Sequence, residues 1–181
     1  MKKTSVRQTP KTGAGLFAIE KISQNEPIFA IEGNLRHDAY TKEEALTEFV
    51  NDLNIAPGIW ITPHDTNPWR YVNHSCNPNI GLKQINTTFI AIALCNIKAE
   101  EELTIDYSIT ENNPYWQLQE SCACQTQNCR KIIRAASTLP PALFEKYQPY
   151  MLPFMIEDWK QQNLAIEIPT IVPTPSLNSR N

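Results

Sequence analysis

The stretch RYVNHSCNPN, residues 70–79, holds three asparagines, a histidine, a serine and a cysteine within ten positions. A half-buried strand would alternate apolar and polar residues, and this stretch does not. An ordinary loop rarely needs both His74 and Cys76. Because imidazole and thiol groups bind metals and act as bases and nucleophiles, the stretch predicts a functional site.

Length and composition predict one globular domain, with or without an appendage. The chain has 181 residues, of which 41% are hydrophobic and 19% are charged, and such a chain can bury a core. Its net charge of -3 argues against direct nucleic-acid binding, which usually requires a basic excess. The same charge suits a basic partner.

The expected compartment is a reducing one. Residues 1–13 lack the apolar core of a secretory signal, and the apolar run at 89–95 is too short to cross a bilayer. Five cysteines, an odd number, then favour metal binding over disulfides. We therefore expect a cytoplasmic or nuclear protein without a membrane partner, and delivery into another cell as an effector stays open.

Apolar patterning predicts a β-rich core followed by a small helical appendage. Apolar runs bounded by turn residues predict strands at 15–22, 26–33, 80–85, 88–97 and 100–108. A helix is predicted over 41–53, where Thr41 and Glu44 form a capping box. Prolines open two further predicted helices, at 142–151 and 154–165, and a tail rich in Pro, Ser and Thr follows them.

The run CACQTQNC has the cysteine spacing of a metal site, with thiols at Cys122, Cys124 and Cys129. Tetrahedral zinc takes four thiolate or imidazole ligands, and three thiols this close can face one ion with little loop-closure cost. Cys76 is the natural fourth ligand, whereas Cys95, inside an apolar run, is expected to be a buried thiol. Two alternatives stay open: free or disulfide-bonded cysteines, and a nucleophilic Cys76 with His74 as its base.

Two further segments are weak signals when taken alone. KTGAGLFA, residues 11–18, contains a Gly-x-Gly turn at Gly13 and Gly15, which allows a close backbone approach to a ligand but often marks only a tight turn. It lacks the third glycine of the dinucleotide fingerprint. ELTIDY places Tyr107 at the end of a short strand, where base rates alone would favour a packing role.

Together the four segments closely resemble the SET-domain protein-lysine methyltransferases, over residues 5–134. GAGLFA is similar to the family's opening Gly-x-Gly turn, and RYVNHSCNPN to its Arg-Phe-x-Asn-His-Ser-Cys-x-Pro-Asn segment. EELTIDY is similar to its Glu-Leu-Thr-aromatic-Asp-Tyr segment, and CACQTQNC to its post-SET Cys-x-Cys-x4-Cys motif. The Asn-His-Ser-Cys-x-Pro-Asn run is highly specific.

The resemblance implies a mostly β fold with short helices. In such proteins small twisted sheets surround a pseudoknot, in which the segment with Asn73 and His74 threads past the segment with Tyr107. The expected organisation is a SET domain at 5–110, a post-SET zinc-binding segment at 111–134, a helical appendage at 135–165 and an extended or disordered tail at 166–181. The appendage could cover the core, form a homodimer or dock a partner.

The resemblance also implies the site and its chemistry, which is methyl transfer from S-adenosylmethionine to the ε-amine of lysine in a basic protein or peptide. The residues expected to bind the cofactor are Gly13, Ala14, Gly15, Arg70, Asn73, His74 and Tyr107. Structural zinc would be bound by Cys76, Cys122, Cys124 and Cys129. Tyr107 would be the catalytic residue, and the substrate channel would be lined by Tyr71, Ile105 and Tyr107. For Tyr71, Tyr115 and Trp116, core packing is an equal alternative to lining the channel.

Two positions depart from the family pattern. Ile105 stands where many relatives have Phe or Tyr, which leaves the number of methyl groups added open. Gln125 replaces the usual glycine of the post-SET loop. Two other functional classes also stay open: a catalytically silent SET module that binds a peptide or protein partner, and a purely structural zinc domain.

Overall fold

The structure, a computed structural model, describes residues 2–10, 12–37 and 51–164. Most of the helix predicted over 41–53 falls outside these ranges. Its last residue, Leu53, begins a strand instead.

The described residues form ten strands in four small sheets. The strands are β1 Thr4–Thr9, β2 Gly13–Ala18, β3 Pro27–Ile31, β4 Gly33–His37, β5 Leu53–Ala56, β6 Ile59–Pro63, β7 Asn73–His74, β8 Ile80–Ile85, β9 Thr88–Ala93 and β10 Thr104–Ile105. The sheets have the strand orders β1-β2, β3-β9-β8, β4-β6-β5 and β7-β10. Short 3-10 turns at Pro68–Tyr71, Tyr107–Ile109, Ala136–Thr138 and Gln148–Tyr150 connect several of these elements.

The hairpin predicted around Asn86 is confirmed. β8 and β9 pair in antiparallel register from Ile80 opposite Ala93 to Ile85 opposite Thr88. Asn86 has a φ of 54°, a left-handed conformation that asparagine tolerates better than most residues. β9 is largely buried because it is the central strand, with β3 on its other side.

The prediction for Cys95 is wrong. Strand β9 ends at Ala93, so Cys95 lies in the bend that follows it, and its thiol is exposed. The apolar run of the sequence continues past the last hydrogen-bonded residue of β9, so apolar patterning alone placed Cys95 inside the strand.

The short parallel pair β7-β10 brings two distant segments together. Asn73 lies opposite Thr104 and His74 opposite Ile105. The Ser75 N–H donates to the Ile105 carbonyl at 2.9 Å and so extends the pairing past the end of β7. The mostly β fold of small sheets is therefore confirmed, and this pairing places RYVNHSCNPN beside ELTIDY.

The C-terminal helices cover the β core. They are α1 Pro141–Tyr147 and α2 Pro153–Leu164, each with proline at its first position. The rings of Phe144 and Trp159 stack with their centroids 3.8 Å apart, and both side chains belong to the main hydrophobic cluster. Among the described residues, neither helix has the length and hydropathy needed to span a bilayer.

Candidate active site and metal centre

Four cysteine thiols converge at one point of the structure, as the spacing predicted. The sulfur atoms of Cys76, Cys122, Cys124 and Cys129 all lie within 4.8 Å of one another. The Cys76 and Cys122 sulfurs are 3.9 Å apart, and four sulfurs held tetrahedrally at about 2.3 Å from zinc would be about 3.8 Å apart. The donor set and its spacing therefore fit a zinc ion.

Backbone geometry prepares these thiols for a cation. The N–H of Arg130 donates to Cys76 Sγ at 3.3 Å, and the N–H of Cys124 donates to Cys122 Sγ at 3.4 Å. Burial raises the pKa of Cys76 and of Cys122, so these thiols would not ionise in this setting without a compensating charge. Gln125 has a φ of 58°, which explains why the loop favours glycine at this position.

A cavity of about 700 Å³ adjoins the cysteine cluster, and its volume is in the range of small-molecule sites. One wall comes from the turn between β1 and β2, and a second from β7 and the residues around β10. The segment 117–125, which includes Cys122 and Cys124, completes the wall. The residues from the first two walls are Thr9, Pro10, Thr12, Asn73, His74, Ser75, Glu102, Thr104 and Tyr107.

His74 joins the cavity to the cysteine cluster. Its Nε2 lies 3.4 Å from Cys76 Sγ, and its Nδ1 accepts a hydrogen bond from the backbone N–H of Tyr107 at 3.1 Å. Burial lowers the pKa of His74 to about 4 despite the nearby Asp106 carboxylate, so the ring is neutral at physiological pH. Since Nδ1 accepts, the proton is on Nε2 and points toward the thiol. Both ring nitrogens of His74 are therefore engaged, and the nitrogen that faces Cys76 carries the proton. The arrangement gives no support to a Cys76 nucleophile with His74 as its base.

The Tyr107 side chain lies at the end of the cavity next to β7. Its hydroxyl donates to the Val72 carbonyl at 2.9 Å, which fixes the direction of the O–H group. Burial, and to a smaller extent the Glu102 carboxylate, raise the pKa of Tyr107 well above its usual value. The phenol therefore keeps its proton at neutral pH.

Asn73 is held by the Gly-x-Gly turn and by a carboxylate. Its Nδ2 donates to the Ala14 carbonyl at 3.0 Å and to Glu102 Oε1 at 2.7 Å. A Cβ on Gly15 would lie 3.0 Å from Asn73 Nδ2, too close for an ordinary contact. Gly13 is needed for a different reason: its φ is +76°, and its neighbourhood is open.

Other residues predicted for the site lie outside the cavity wall. Arg70 donates to the Pro63 carbonyl at 3.3 Å and lies 3.6 Å from the Asp65 carboxylate. Tyr71 is half-buried and Ile105 fully buried, and both pack against the main core. Trp116 packs in a small cluster around Cys76 and Cys122, whereas Tyr115 is exposed.

Three residues of the site were not predicted. Asp106, whose exposed fraction is 0%, accepts two hydrogen bonds from Arg130 Nη2 at 2.5 and 2.6 Å. Glu102 binds Asn73, as described above. The sequence offered one signal for two of them, namely that each is next to a predicted site residue. Asp106 precedes Tyr107, and Arg130 follows Cys129.

Comparison with known proteins agrees with this geometry. A family model described as the SET domain matches residues 13–108. Histone-lysine N-methyltransferase ASHH3 of Arabidopsis thaliana is 28% identical over 156 residues, which are 77% of this chain and 40% of that protein. Histone-lysine N-methyltransferase Su(var)3-9 of Drosophila melanogaster is 31% identical over 145 residues, which are 71% of this chain and 22% of that protein. The chain thus spans less than half the length of these curated relatives.

Solved structures are similar in fold as well. Among them is KRYPTONITE in complex with mCHH DNA, an H3(1-15) peptide and SAH, with a TM-score of 0.55 and 25% identity. The similarity covers 73% of this chain and 29% of that one.

Proposed function

The chain belongs to the SET-domain family, and we propose that it transfers a methyl group from S-adenosylmethionine to the ε-amine of a lysine in a protein substrate. The observation that carries this proposal is a cavity of about 700 Å³ whose wall contains Asn73, His74 and Tyr107 and continues into the cysteine cluster. Asn73 and His74 belong to the RYVNHSCNPN motif and Tyr107 to the EELTIDY motif, so the cavity brings the two motifs together.

The cavity fits the cofactor chemically as well as in volume. S-adenosylmethionine carries a sulfonium and an ammonium charge, and the Glu102 carboxylate lies in the cavity wall. We assign cofactor binding to Asn73, His74 and the turn at Gly13–Gly15, with Asn73 fixed by Ala14 and Glu102. Arg70 would act only indirectly because its guanidinium donates to the Pro63 carbonyl and forms an ion pair with Asp65.

We assign zinc to the four cysteines in a structural role. A closed set of four thiolates leaves no open coordination position for a substrate. Cys122 and Cys124 belong to both the metal cluster and the cavity wall, so the ion would order one side of the cofactor site.

Bound S-adenosylmethionine would supply an activated methyl group. The lysine amine would have to be neutral to accept this methyl group, and S-adenosylhomocysteine would be the leaving group. Tyr107 cannot accept the proton because its phenol is already protonated and its pKa is raised. We therefore assign Tyr107 no role as the base; its hydroxyl and nearby carbonyls would orient the amine and the methyl group.

The proposed substrate is a basic, lysine-containing protein segment such as a histone tail. The net charge of -3 suits a basic partner. The KRYPTONITE structure contains an H3(1-15) peptide, and the curated relatives are named as histone-lysine methyltransferases. A reducing compartment, the cytoplasm or the nucleus, fits five free cysteines.

The test is incubation of the purified protein with methyl-labelled S-adenosylmethionine and a mixture of histones and other basic proteins. We expect label on lysine, located by mass spectrometry, and no label with Tyr107→Phe. Cofactor binding without transfer to any protein would instead support a silent SET module. If the protein neither binds the cofactor nor transfers the methyl group, the structural zinc domain is the remaining alternative.

A further inference from the structure

We infer that Arg130 is a positioning residue that couples the metal centre to Tyr107. This inference rests on the proposed function for the role of Tyr107, but the coupling itself concerns only contacts within this chain. The Arg130 backbone donates a hydrogen bond to the cysteine cluster, and its side chain donates to Asp106, next to Tyr107. Among the hydrogen bonds of the described residues, no other residue makes both contacts.

The first half of the link is the backbone of Arg130. Arg130 follows Cys129 directly in the sequence, and its N–H donates to Cys76 Sγ at 3.3 Å. The peptide bond to Cys129 and the hydrogen bond to Cys76 both tie the Arg130 backbone to the positions of the thiols. An ion bound by the four cysteines would therefore also fix the position of the Arg130 backbone.

The second half is a buried ion pair. Arg130 Nη2 donates to both carboxylate oxygens of Asp106, at 2.5 and 2.6 Å, and Nη1 lies 3.3 Å from Ser108 Oγ. The Asp106 side chain is completely buried, whereas 21% of the Arg130 side chain is exposed. A buried carboxylate without its partner is strongly unfavourable, so Asp106 holds its position only while Arg130 is in place.

Asp106 in turn positions Tyr107. Its Oδ1 accepts the Ser108 N–H at 3.0 Å and so caps the 3-10 turn that begins at Tyr107. The Tyr107 N–H donates to His74 Nδ1, and the Tyr107 hydroxyl donates to the Val72 carbonyl. A displaced Asp106 would loosen the cap, and both hydrogen bonds of Tyr107 would lengthen.

The experiment uses ¹⁵N-tyrosine-labelled protein, in which six tyrosines give at most six amide signals. Loss of one signal in Tyr107→Phe identifies that of Tyr107. Hydrogen exchange of this amide is then measured with zinc and after chelation, with the Tyr150 amide as the internal reference, because the Tyr150 side chain bonds to Asn25. In the wild type we expect chelation to accelerate exchange at Tyr107 about tenfold or more relative to Tyr150.

Three substitutions separate the coupling from general effects of charge. Arg130→Met should accelerate Tyr107 exchange about tenfold even with full zinc, and should lower kcat more than it raises KM for the cofactor. Arg130→Lys should bind zinc like the wild type but restore only part of the protection of the Tyr107 amide, because an ammonium cannot form the same paired hydrogen bonds. Lys131→Met, which removes an exposed charge at the next position, should behave like the wild type.

Arg130→Met with stoichiometric zinc and a fully protected Tyr107 amide would overturn the inference. If Arg130→Met does not fold, the double variant D106N/R130M removes the unpaired buried charge and the proposed link to the metal centre, so chelation should no longer accelerate exchange at Tyr107. An acceleration as large as in the wild type would overturn the inference. A wild type that transfers no methyl group would refute the proposed function, yet the exchange measurements would still decide whether the coupling exists.

Discussion

Substitution of Gly15 by alanine should weaken cofactor binding through Asn73. The added Cβ would overlap with Glu102 Oε1, its nearest neighbour, and would also lie 2.8 Å from Thr9 Cγ2 and 3.0 Å from Asn73 Nδ2. The Glu102 carboxylate is at the end of a flexible side chain and must move first, so its hydrogen bond to the Asn73 amide is lost. The direct result is a displaced side chain in the cofactor site.

The magnitude follows from the hydrogen bonds that Asn73 would lose. Its Nδ2 donates to the neutral Ala14 carbonyl at 3.0 Å and to the charged Glu102 carboxylate at 2.7 Å. Such bonds contribute about 1 kcal/mol and about 2 kcal/mol respectively. Loss of only the bond to Glu102 corresponds to roughly thirtyfold, and loss of both bonds to roughly a hundredfold, weaker binding if the whole effect falls on the cofactor.

Calorimetric titration with S-adenosylhomocysteine measures this effect, and thermal unfolding measures the stability of the same samples. Gly13→Ala is the matched comparison, because a Cβ there has nothing within 4 Å but is strained by a φ of +76°. It should cost about 1–2 kcal/mol of folding stability and weaken binding far less than Gly15→Ala. Equal losses of affinity in the two variants would refute the reasoning from Asn73.

Four further predictions address catalysis, its pH dependence, the metal and the product. Tyr107→Phe should lower turnover roughly a hundredfold with little change in cofactor affinity, because it removes a hydroxyl that acts mainly in the transition state; near-normal turnover, with Tyr71→Phe as the control, would make Tyr107 a packing residue. The wild-type rate should rise between about pH 7 and pH 9 as the substrate amine loses its proton, and a falling rate would contradict a protonated Tyr107. Cys124→Ser or chelation should weaken cofactor binding while circular dichroism shows an intact β core, and equal affinity with and without zinc would rule this out. Ile105 is fully buried here, but the family resemblance puts it where a hydroxyl would hold the amine, and isoleucine has none. The wild type should therefore add more than one methyl group, and Ile105→Tyr should shift products toward monomethyl-lysine. Intact mass showing only monomethyl product from the wild type at long times would end this hypothesis.

The sequence predicted those parts of the site that lie within continuous motifs. The cysteines of CACQTQNC are close in sequence, so their spacing alone restricts where the thiols can go. The same holds for Asn73, His74 and Cys76, which occupy four consecutive positions together with Ser75. The hairpin around Asn86 was equally local.

Contacts between distant segments could not be predicted in this way. Arg130 and Asp106 are 24 residues apart, and nothing in the local pattern of either indicates the other. The exposed position of Cys95 depends on where the ladder of β9 ends, which is decided by the neighbouring strands. Ile105 is buried in the core because β10 lies against β7, a pairing that the apolar pattern does not encode.

The pairing of β7 with β10 also orders the events of folding. These strands pair over two residues each, and the chain between them contains the β8-β9 hairpin. A hairpin closes a short loop and forms early, whereas β7 and β10 meet only once that hairpin has drawn their ends together. We therefore expect the two halves of the active site to be joined late, so that a refolding chain would acquire its cofactor site only after the hairpin has formed.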